Sequence, residues 1–311
     1  MGMAQALSLV SRPTGLLKIQ VNVGESKPIS IPLADAYVYA GTVSTAGADR
    51  ITTTGAGWAV NAYGPLASNP HLVRFTTGGA SGQHYRITSH TADTLIIQTG
   101  GLPLNSLVSA GDQYEVVPAD TLARLFGADA RPAGVYANAD SQQADNVMIR
   151  GTAGVLTFFN DGVSWYRVGT SSPQNAMVLM PENGFIYVRR GATPFSFSVN
   201  GQTPVTNLAT EIPAGRTTLI ANRFPIDTTL NSLGLHLLPG WLKGADSSIV
   251  DNVLLYASGQ WKTYYHNGAN WLLVGNPTAQ DPAISTGSSI VIVKRPGSNV
   301  TLNQPRPYAV E

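Results

Sequence analysis

The residue types that most often bind metals or transfer protons are few in this chain and widely spaced. The five histidines are His71, His84, His90, His236 and His266. His84 and His90 stand six positions apart beside a predicted strand, and this even spacing allows both side chains to share one face. A zinc site needs further ligands, and no Asp or Glu stands at a recognised spacing from this pair. We therefore predict no metal site.

The carboxylates are scattered in the same way. Asp129, Asp140 and Asp145 lie in a loop-like stretch, but a calcium-binding loop places its ligands two residues apart around a central glycine. We predict that these three residues are solvated. Glu115 and Glu182 each stand alone, whereas glycoside hydrolysis needs a pair of carboxylates flanking the bond that breaks.

Motifs for nucleophilic catalysis and for phosphate binding are missing as well. The chain has no cysteine, and no Gly-x-Ser-x-Gly motif presents a serine. The glycine-rich segment 78–83 precedes a predicted strand, whereas a phosphate-binding loop opens onto a helix. We predict that the protein is not an enzyme and has no catalytic residue and no cofactor. An active site assembled from polar groups of different modules is the alternative that stays open.

Composition limits the partners of the chain. Charged residues make up only 12% of the 311 residues, about half the usual share. The formal net charge is +1, which favours neither nucleic acid nor an anionic membrane surface. No apolar stretch approaches the ~18 residues that a membrane-spanning helix needs. Segment 1–13 lacks the basic start and apolar core of a signal peptide, so we expect synthesis in a cytoplasm.

The elements that must position these residues are repeated along the chain. Segments 145–149 and 158–162 recur as 251–255 and 264–268, each 106 positions later. The recurring residues are aromatic and apolar ones around tight turns, and no cluster of reactive groups recurs with them. A repeated scaffold without a repeated active site favours a structural or binding function.

Aromatic residues are the most prominent feature of both copies. They are Phe158, Phe159 and Trp165 in the first copy, and Tyr264, Tyr265 and Trp271 in the second. Their retained positions predict that they form the structural core of each repeat, and Trp58 has the same role in the segment that interrupts the first copy. If exposed, Trp165 and Trp271 would instead stack on sugars or anchor a protein interface. His266 takes the place of Asn160 beside a turn, and we predict that it lies on the surface.

The pattern along the chain predicts an all-β protein with few short helices. Two related β-sandwich or barrel-like domains, 15–198 and 199–311, would come from an internal duplication, and 1–14 would form an N-terminal arm. A small β-barrel module is inserted at 41–118, where short strands follow one another about every ten residues. One short helix is predicted over 120–127, with Asp120 as its N-cap.

Asp-Gly and Asn-Gly dipeptides separate the predicted strands. They stand at 161–162, 183–184, 200–201 and 267–268. Because these residues tolerate positive φ angles, the dipeptides predict tight type I′ hairpin turns.

The inserted segment has a distinctive set of residues. It contains Trp58, a Gly-x-x-Tyr strand at 82–85 and a closing Gly-Asp-x-Tyr-Glu-Val at 111–116. In these features it resembles a small β module of virion proteins from tailed bacteriophages, which implies a virion component. The whole arrangement, with its two flanking copies, is similar to an uncharacterised family of β-rich proteins frequent in Verrucomicrobia. Members of that family commonly carry export and sorting signals, which this sequence lacks, and neither resemblance supplies catalytic residues.

These observations predict a non-enzymatic structural protein of a tailed bacteriophage particle, of the capsid-decorating, head-fibre or tail-associated type. Its partners would be copies of itself, in a symmetric homo-oligomer, and other virion proteins, with no nucleic acid and no membrane. Its location would be the virion, after synthesis in the host cytoplasm. The alternative is an extracellular or cell-surface binding module, for instance for glycans, which exposure of Trp165 and Trp271 in a groove would favour.

Overall fold

The computed structural model describes residues 12–64, 70–100, 102–129, 134–151 and 154–309. Strands account for 43% of the residues and helices for 5%, which confirms the all-β prediction. Residues 1–11 of the predicted arm lie outside the described residues. In the described ranges, no helix is long and apolar enough to span a lipid bilayer.

The elements of the described residues follow one another in three groups. The first group is β1 (Thr14–Val21) and β2 (Ser26–Ile29), followed by the inserted module with β3 (Tyr39–Thr42), β4 (Thr45–Ala46), β5 (Arg50–Thr52), β6 (His71–Phe75), β7 (His84–His90), β8 (Thr94–Gln98), a 3₁₀ turn (Leu104–Ser106) and β9 (Gln113–Pro118). The first domain then continues with α1 (Leu122–Phe126), β10 (Asn146–Gly151), β11 (Gly154–Asn160), β12 (Trp165–Arg167), β13 (Phe185–Val188) and β14 (Phe195–Gln202). The second domain contains β15 (Leu208–Ile212), β16 (Thr217–Ala221), β17 (Thr228–Thr229), α2 (Leu230–Leu233), a 3₁₀ turn (Leu235–Leu237), β18 (Asn252–Ala257), β19 (Gln260–His266), β20 (Trp271–Leu273), β21 (Asn276–Gln280), β22 (Ala283–Ile284), β23 (Ser289–Val293) and β24 (Val300–Gln304).

The main sheets of the two domains have the same strand order. The order is β12-β11-β10-β13-β2 in the first domain and β20-β19-β18-β23-β16 in the second, where β21 is added beside β20. A separate antiparallel pair, β1 with β14 or β15 with β24, packs against each sheet. Apolar side chains alternate along these strands and meet between the two layers, so each domain is a small β-sandwich. β14 runs across the predicted boundary at 198/199 and pairs with β1 along its whole length.

Strand register also agrees between the two sheets. Val147 lies opposite Phe158 in the first sheet, and Val253 lies opposite Tyr264 in the second. These positions are related by the 106-residue offset of the sequence repeat. That the two domains arose by duplication stays a prediction from the sequence.

The core of the first domain is rich in aromatic rings. The ring of Phe126, from α1, lies 5.8 Å from that of Trp165, 5.5 Å from that of Tyr187 and 5.1 Å from that of Phe197. All four side chains are buried. Complete burial of a side chain of this size contributes about 1.5–3 kcal/mol relative to its exposure to water, so α1 is held to the sandwich by Phe126 despite its short length.

The inserted module is one seven-stranded antiparallel sheet in the order β3-β9-β6-β7-β8-β5-β4. Its edge strands β3 and β4 are consecutive and are separated only by residues 43–44, so the sheet has to curl until its edges approach each other. No ladder joins β3 to β4 within the described residues. The predicted small barrel is therefore a half-barrel, and its core includes Trp58, Phe75 and Tyr114.

Each α-helix begins at a threonine. The hydroxyl of Thr121 accepts a hydrogen bond from the backbone N–H of Arg124 at 3.2 Å, and Thr229 accepts one from Ser232 at 3.2 Å. The prediction of Asp120 as the N-cap is wrong by one residue. Thr121 has the extended backbone, with φ −130° and ψ 166°, that directs a capping side chain toward the first turn.

The turns predicted at 161–162 and 267–268 take another form. Residues 161–164 and 267–270 are four-residue loops between paired strands. In each loop one side-chain oxygen, from Asp161 or Asn267, accepts two backbone N–H bonds at 2.8–2.9 Å. The type I′ prediction is wrong here because the loop is closed by a side chain. Residues 183–184 precede β13 and do not form a two-residue hairpin either.

The dipeptide at 200–201 lies inside β14 and forms no turn. Glycine is needed at this point because a Cβ on Gly201 would lie 2.6 Å from the carbonyl oxygen of Ala34. A two-residue turn occurs instead at Ser258 and Gly259, between β18 and β19. Both residues have positive φ, at 53° and 79°, which is the type I′ requirement.

Candidate functional site

Most of the aromatic residues shared by the two copies lie inside the protein. Trp165 and Trp271 are completely buried, at 0% exposure. The indole N–H of Trp165 donates to the carbonyl of Gly127 at 2.8 Å, and that of Trp271 has no partner in the described structure. Neither ring is available to stack on a sugar. The other buried residues of the predicted set are Phe158, Tyr264 and Trp58.

Phe159 and Tyr265 do not belong to the cores, and the prediction is wrong for these two residues. Successive side chains of a strand point to opposite faces, so Phe159 faces outward when Phe158 faces the core. The ring of Phe159 lies 6.2 Å from that of Tyr166 on the neighbouring strand. Phe159 and Tyr265 are both half-buried.

The outer faces of the two sheets carry equivalent apolar residues, which we call the outer-face stripe. Its members are Phe159, Tyr166 and Val168 in the first domain, and Tyr265, Leu272 and Val274 in the second. The backbone N–H groups of Val168 and Val274 donate at 2.9 Å to carbonyls of β11 and β19, so both valines adjoin the sheet. Val168 is 44% exposed and Val274 45% exposed. Leu272 is only 8% exposed, so Val168 and Val274 are the members of the stripe that are open to solvent.

Each domain also has a fully buried carboxylate at an equivalent position. Asp145 pairs with Arg189 at 2.5 Å and accepts a hydrogen bond from the Tyr187 hydroxyl at 2.7 Å. Asp251 pairs with Lys294 at 2.9 Å. The prediction that Asp145 is solvated is wrong. Its partner Arg189 directly follows β13 and lies 44 residues further along the chain, so the local sequence around Asp145 does not show the ion pair. These ion pairs lie in the interior and connect strands.

The inserted module and the two domains meet at a buried ionic cluster. His84 lies on β7, Glu182 precedes β13 and Arg223 follows β16. Nδ1 of His84 lies 2.7 Å from Oε1 of Glu182, and Nη2 of Arg223 lies 3.2 Å from the same oxygen. Arg223 also donates to the carbonyls of Gly82 and Ala209, at 3.2 and 2.8 Å. The cluster therefore links all three modules.

The cluster has one preferred charge state. Burial acts to raise the pKa of Glu182, but the charges of Arg223 and His84 outweigh it and lower that pKa to about 2. Burial lowers the pKa of His84, so the imidazole is neutral at pH 7. Nδ1 of His84 lies 2.7 Å from Oε1 of Glu182 and 2.9 Å from Nη2 of Arg223. Because the contact with Glu182 is the shorter one, we assign the single ring N–H to Nδ1, where it donates to Glu182. Since Glu182 stays ionised and is held by Arg223, the arrangement suits packing between the modules.

Glu115 is a second buried carboxylate held by two cations. Arg12 and Arg74 both form ion pairs with it, and Nε of Arg74 donates to it at 3.1 Å. Burial acts to raise the pKa of Glu115, but the hydrogen bonds and charges of the two arginines lower it. Arg12, just before β1, is thereby tied to the inserted module. Neither this cluster nor that of His84, Glu182 and Arg223 could be predicted from the sequence, because their members are far apart along the chain.

His84 and His90 do not come together. A β-bulge between residues 87 and 89 shifts the register of β7 and changes the face to which the later side chains point. His84 lies in the ionic cluster, and Nε2 of His90 accepts a hydrogen bond from the backbone N–H of Tyr63 at 3.2 Å. Within the described ranges, no three His, Asp or Glu side chains are close enough to hold a metal ion.

His266 is 3% exposed, so the prediction of a surface position is wrong. Its Nδ1 accepts a hydrogen bond from the N–H of Gly268 at 3.1 Å, as Oδ1 of Asn160 does from Gly162 at 2.7 Å. The imidazole and the amide thus close the same loop. Burial, together with the stacked ring of His236 at 4.6 Å, lowers the pKa of His266 to about 4.

Comparisons with known proteins leave the family of this chain open. No family model, no curated protein and no solved structure matches it.

Proposed function

We propose that this chain is a non-enzymatic structural protein of a tailed bacteriophage particle, which packs against copies of itself and against other virion proteins. The observation that carries the proposal is the outer-face stripe, because it places two exposed apolar residues, Val168 and Val274, at equivalent positions of the two domains. The resemblance of the inserted segment to a virion β module supports the same assignment.

Exposed apolar residues on the outer face of a sheet are unusual in a protein that stays monomeric. One face of an antiparallel sheet packs on the core and the other is normally polar. Exposed apolar groups that adjoin one another are typical of a surface that a second protein covers. The exposed fractions of Val168 and Val274 are nearly equal. Another equivalent pair, Tyr136 and Leu242, is 43% and 38% exposed.

Two related surfaces on one chain suit assembly into a symmetric particle. If one domain docks on a neighbouring chain, the other domain can dock in a similar way on the next, because both sheets have the same strand order. A stable interface buries roughly 1,200–2,000 Å² in total. The stripes would form the centres of such interfaces, and the polar residues around them would form the rims.

A structural protein also needs modules that do not move apart. The cluster of His84, Glu182 and Arg223 supports this requirement, since separating the modules would leave a buried charge without its partner. Breaking a buried ion pair in this way costs about 3–5 kcal/mol. The buried carboxylates Glu115 and Asp145 are likewise held by guanidinium groups inside the fold.

Electron cryo-microscopy of particles purified from the native source tests the proposal directly. We expect the chain in symmetric copies on a shell, fibre or tail, with the stripe covered by a neighbour. Finding the chain only as a free monomer outside any particle would overturn the proposal.

Association of the purified chain gives a second test. The double variant Val168→Lys, Val274→Lys places two charges in the stripe at exposed positions that the fold does not need. We expect self-association, measured by sedimentation velocity, to weaken at least about tenfold, which corresponds to ~1.4 kcal/mol. The control is Val60→Lys, because Val60 is 90% exposed and lies outside the stripe. Equal association of both variants and the parent chain would contradict the role of the stripe.

A further inference from the structure

A cleft of about 860 Å³ lies between the two domains. One wall is formed by β1 and the turn that leads to β2, and the other by the hairpin of β18 and β19. Residues 283–290 form its floor, where Gly287 packs closely against Leu17 of β1. The volume falls within the ~300–1,000 Å³ that is typical of ligand-binding clefts.

The lining of this cleft is rich in neutral hydrogen-bonding groups. Gln20 lies on the solvent face of β1, Asn22 follows that strand, and Ser285 and Thr286 come from the floor. Nε2 of Gln20 donates to Oδ1 of Asn22 at 3.1 Å, which holds the two amides side by side. No contact within the described residues uses Oε1 of Gln20 or Nδ2 of Asn22. One acceptor and two N–H donors therefore remain available to a ligand.

An aromatic pair stands beside the cleft. Tyr256 lines it, and the ring of Trp261, on the adjacent strand, lies 5.4 Å from that of Tyr256 at an angle of 63°. Trp261 is 37% exposed. The tight turn at Ser258 and Gly259 keeps both rings at the end of a short hairpin, so they are held in place without being buried.

The fold does not require these two aromatic residues. Tyr256 and Trp261 face each other across β18 and β19, and the equivalent cross-strand pair in the first domain is Arg150 and Val155. The same scaffold thus forms with an arginine and a valine at these positions. A partly exposed aromatic pair that the scaffold can omit, next to a cleft lined by amides and hydroxyls, has the features of a ligand site.

From this arrangement we infer that the cleft binds a segment of a polysaccharide built of neutral sugars. The apolar face of a sugar ring stacks on an aromatic side chain, and its hydroxyls bond to amide and hydroxyl groups. The charged side chains of the cleft are Lys18, Lys27 and Glu25, which leave one net positive charge, and the neutral amides and hydroxyls of the lining outnumber them. Lys27 donates to the carbonyl of Gln20, and Glu25 accepts from the N–H of Asn22, so both are already engaged. This inference does not depend on the proposed structural role.

A glycan array probed with the labelled full-length chain is the first experiment. The array should include neutral bacterial surface polysaccharides together with cellohexaose, maltohexaose and chitohexaose. The strongest probe is then titrated by saturation-transfer NMR and by tryptophan fluorescence. We expect at least one neutral glycan to bind, with its ring protons close to aromatic side chains.

The matched variant is Tyr256→Arg with Trp261→Val, which introduces the residue pair found at the equivalent positions of the first domain and so preserves folding. We expect it to weaken binding of that glycan at least about tenfold, since aromatic anchors contribute most to such contacts. Gln20→Ala should weaken binding in the same direction. The control Tyr37→Ala removes an exposed aromatic residue outside the cleft and should leave affinity unchanged.

Three results would overturn the inference. The first is failure of every neutral glycan to bind. The second is binding that is unchanged in the Tyr256→Arg, Trp261→Val variant. The third is binding confined to acidic polysaccharides and abolished by moderate salt, which would indicate a charge interaction elsewhere on the surface.

Discussion

Replacing Lys294 with methionine would remove the positive charge that faces Asp251 in the second domain, while keeping most of the apolar part of the side chain. We expect this variant, Lys294→Met, to lower the free energy of unfolding by about 3–5 kcal/mol. The reason is that Asp251 would stay in the interior as a charge without a counter-ion.

The structure sets this magnitude. Both side chains are 0% exposed, and Nζ of Lys294 lies 2.9 Å from Oδ2 of Asp251. With an effective dielectric constant of ~20, two charges at that distance attract by about 6 kcal/mol, part of which offsets the cost of burying them. Lys294 also donates to the carbonyl of Gly240 at 2.8 Å, and this bond would be lost as well. Backbone N–H groups of Leu242 and Arg295 still bond to Asp251 at 2.7 Å and limit the loss.

Two further variants separate the buried charge from other effects. Adding Asp251→Asn to Lys294→Met removes both charges, and we expect it to recover at least about 1 kcal/mol of the loss. Arg50→Met breaks an exposed pair with Asp49, whose side chains are 53% and 48% exposed. That control should cost less than about 1 kcal/mol.

Urea unfolding followed by tryptophan fluorescence is the assay. Trp271 and Trp241 lie in the core of the second domain and report on its transition. Because the chain has several modules, the transition of this domain is fitted separately from the rest. A loss below about 1 kcal/mol for Lys294→Met would refute the view that this pair holds the interior together.

Two other outcomes follow from the buried groups. Trp165→Ala should lower the free energy of unfolding by about 3–5 kcal/mol, because it leaves a cavity at a fully buried site and removes the hydrogen bond to Gly127. A loss below ~1 kcal/mol in urea titrations would contradict the core position of Trp165. Burial lowers the pKa of His266 to about 4, whereas an unfolded histidine has a pKa of ~6.5, so the unfolded state binds more protons between these values. Stability should therefore fall as pH drops from ~6.5 to ~4, by at most about 3 kcal/mol. The variant His266→Asn, with the residue of the first copy, should flatten this part of the profile. An unchanged slope in His266→Asn would place the titrating group elsewhere.

Strands and the all-β class could be predicted because they depend on neighbours in the sequence. The predicted strand over 94–98 is present as β8 (Thr94–Gln98), since alternation of apolar residues decides which face of a strand is buried. The same alternation placed Phe158 in the core, and applied to the next residue it would have placed Phe159 outside. That error came from treating adjacent aromatic residues as a unit.

The turns show where local rules reach their limit. An Asn-Gly dipeptide is compatible with a type I′ turn, but residues 200–201 lie within β14 because Gly201 is needed for a close approach to Ala34. At 161–164 a side-chain carboxylate closes the loop, which a dipeptide rule does not consider. Each case depends on a partner that the local sequence does not identify.

Alternating apolar residues indicated the all-β class from the chain alone, because alternation is a local property. The 106-residue repeat indicated the core positions of Phe158, Trp165, Tyr264 and Trp271, since comparison of the two segments shows it directly. Only the tertiary structure brought His84, Glu182 and Arg223 together, since their contacts span up to 139 residues of chain. It also decided which apolar residues stay uncovered and where the cleft with Tyr256 forms. Such features arise when separate modules pack, and the charge or exposure of each residue then depends on neighbours that are far away in the sequence.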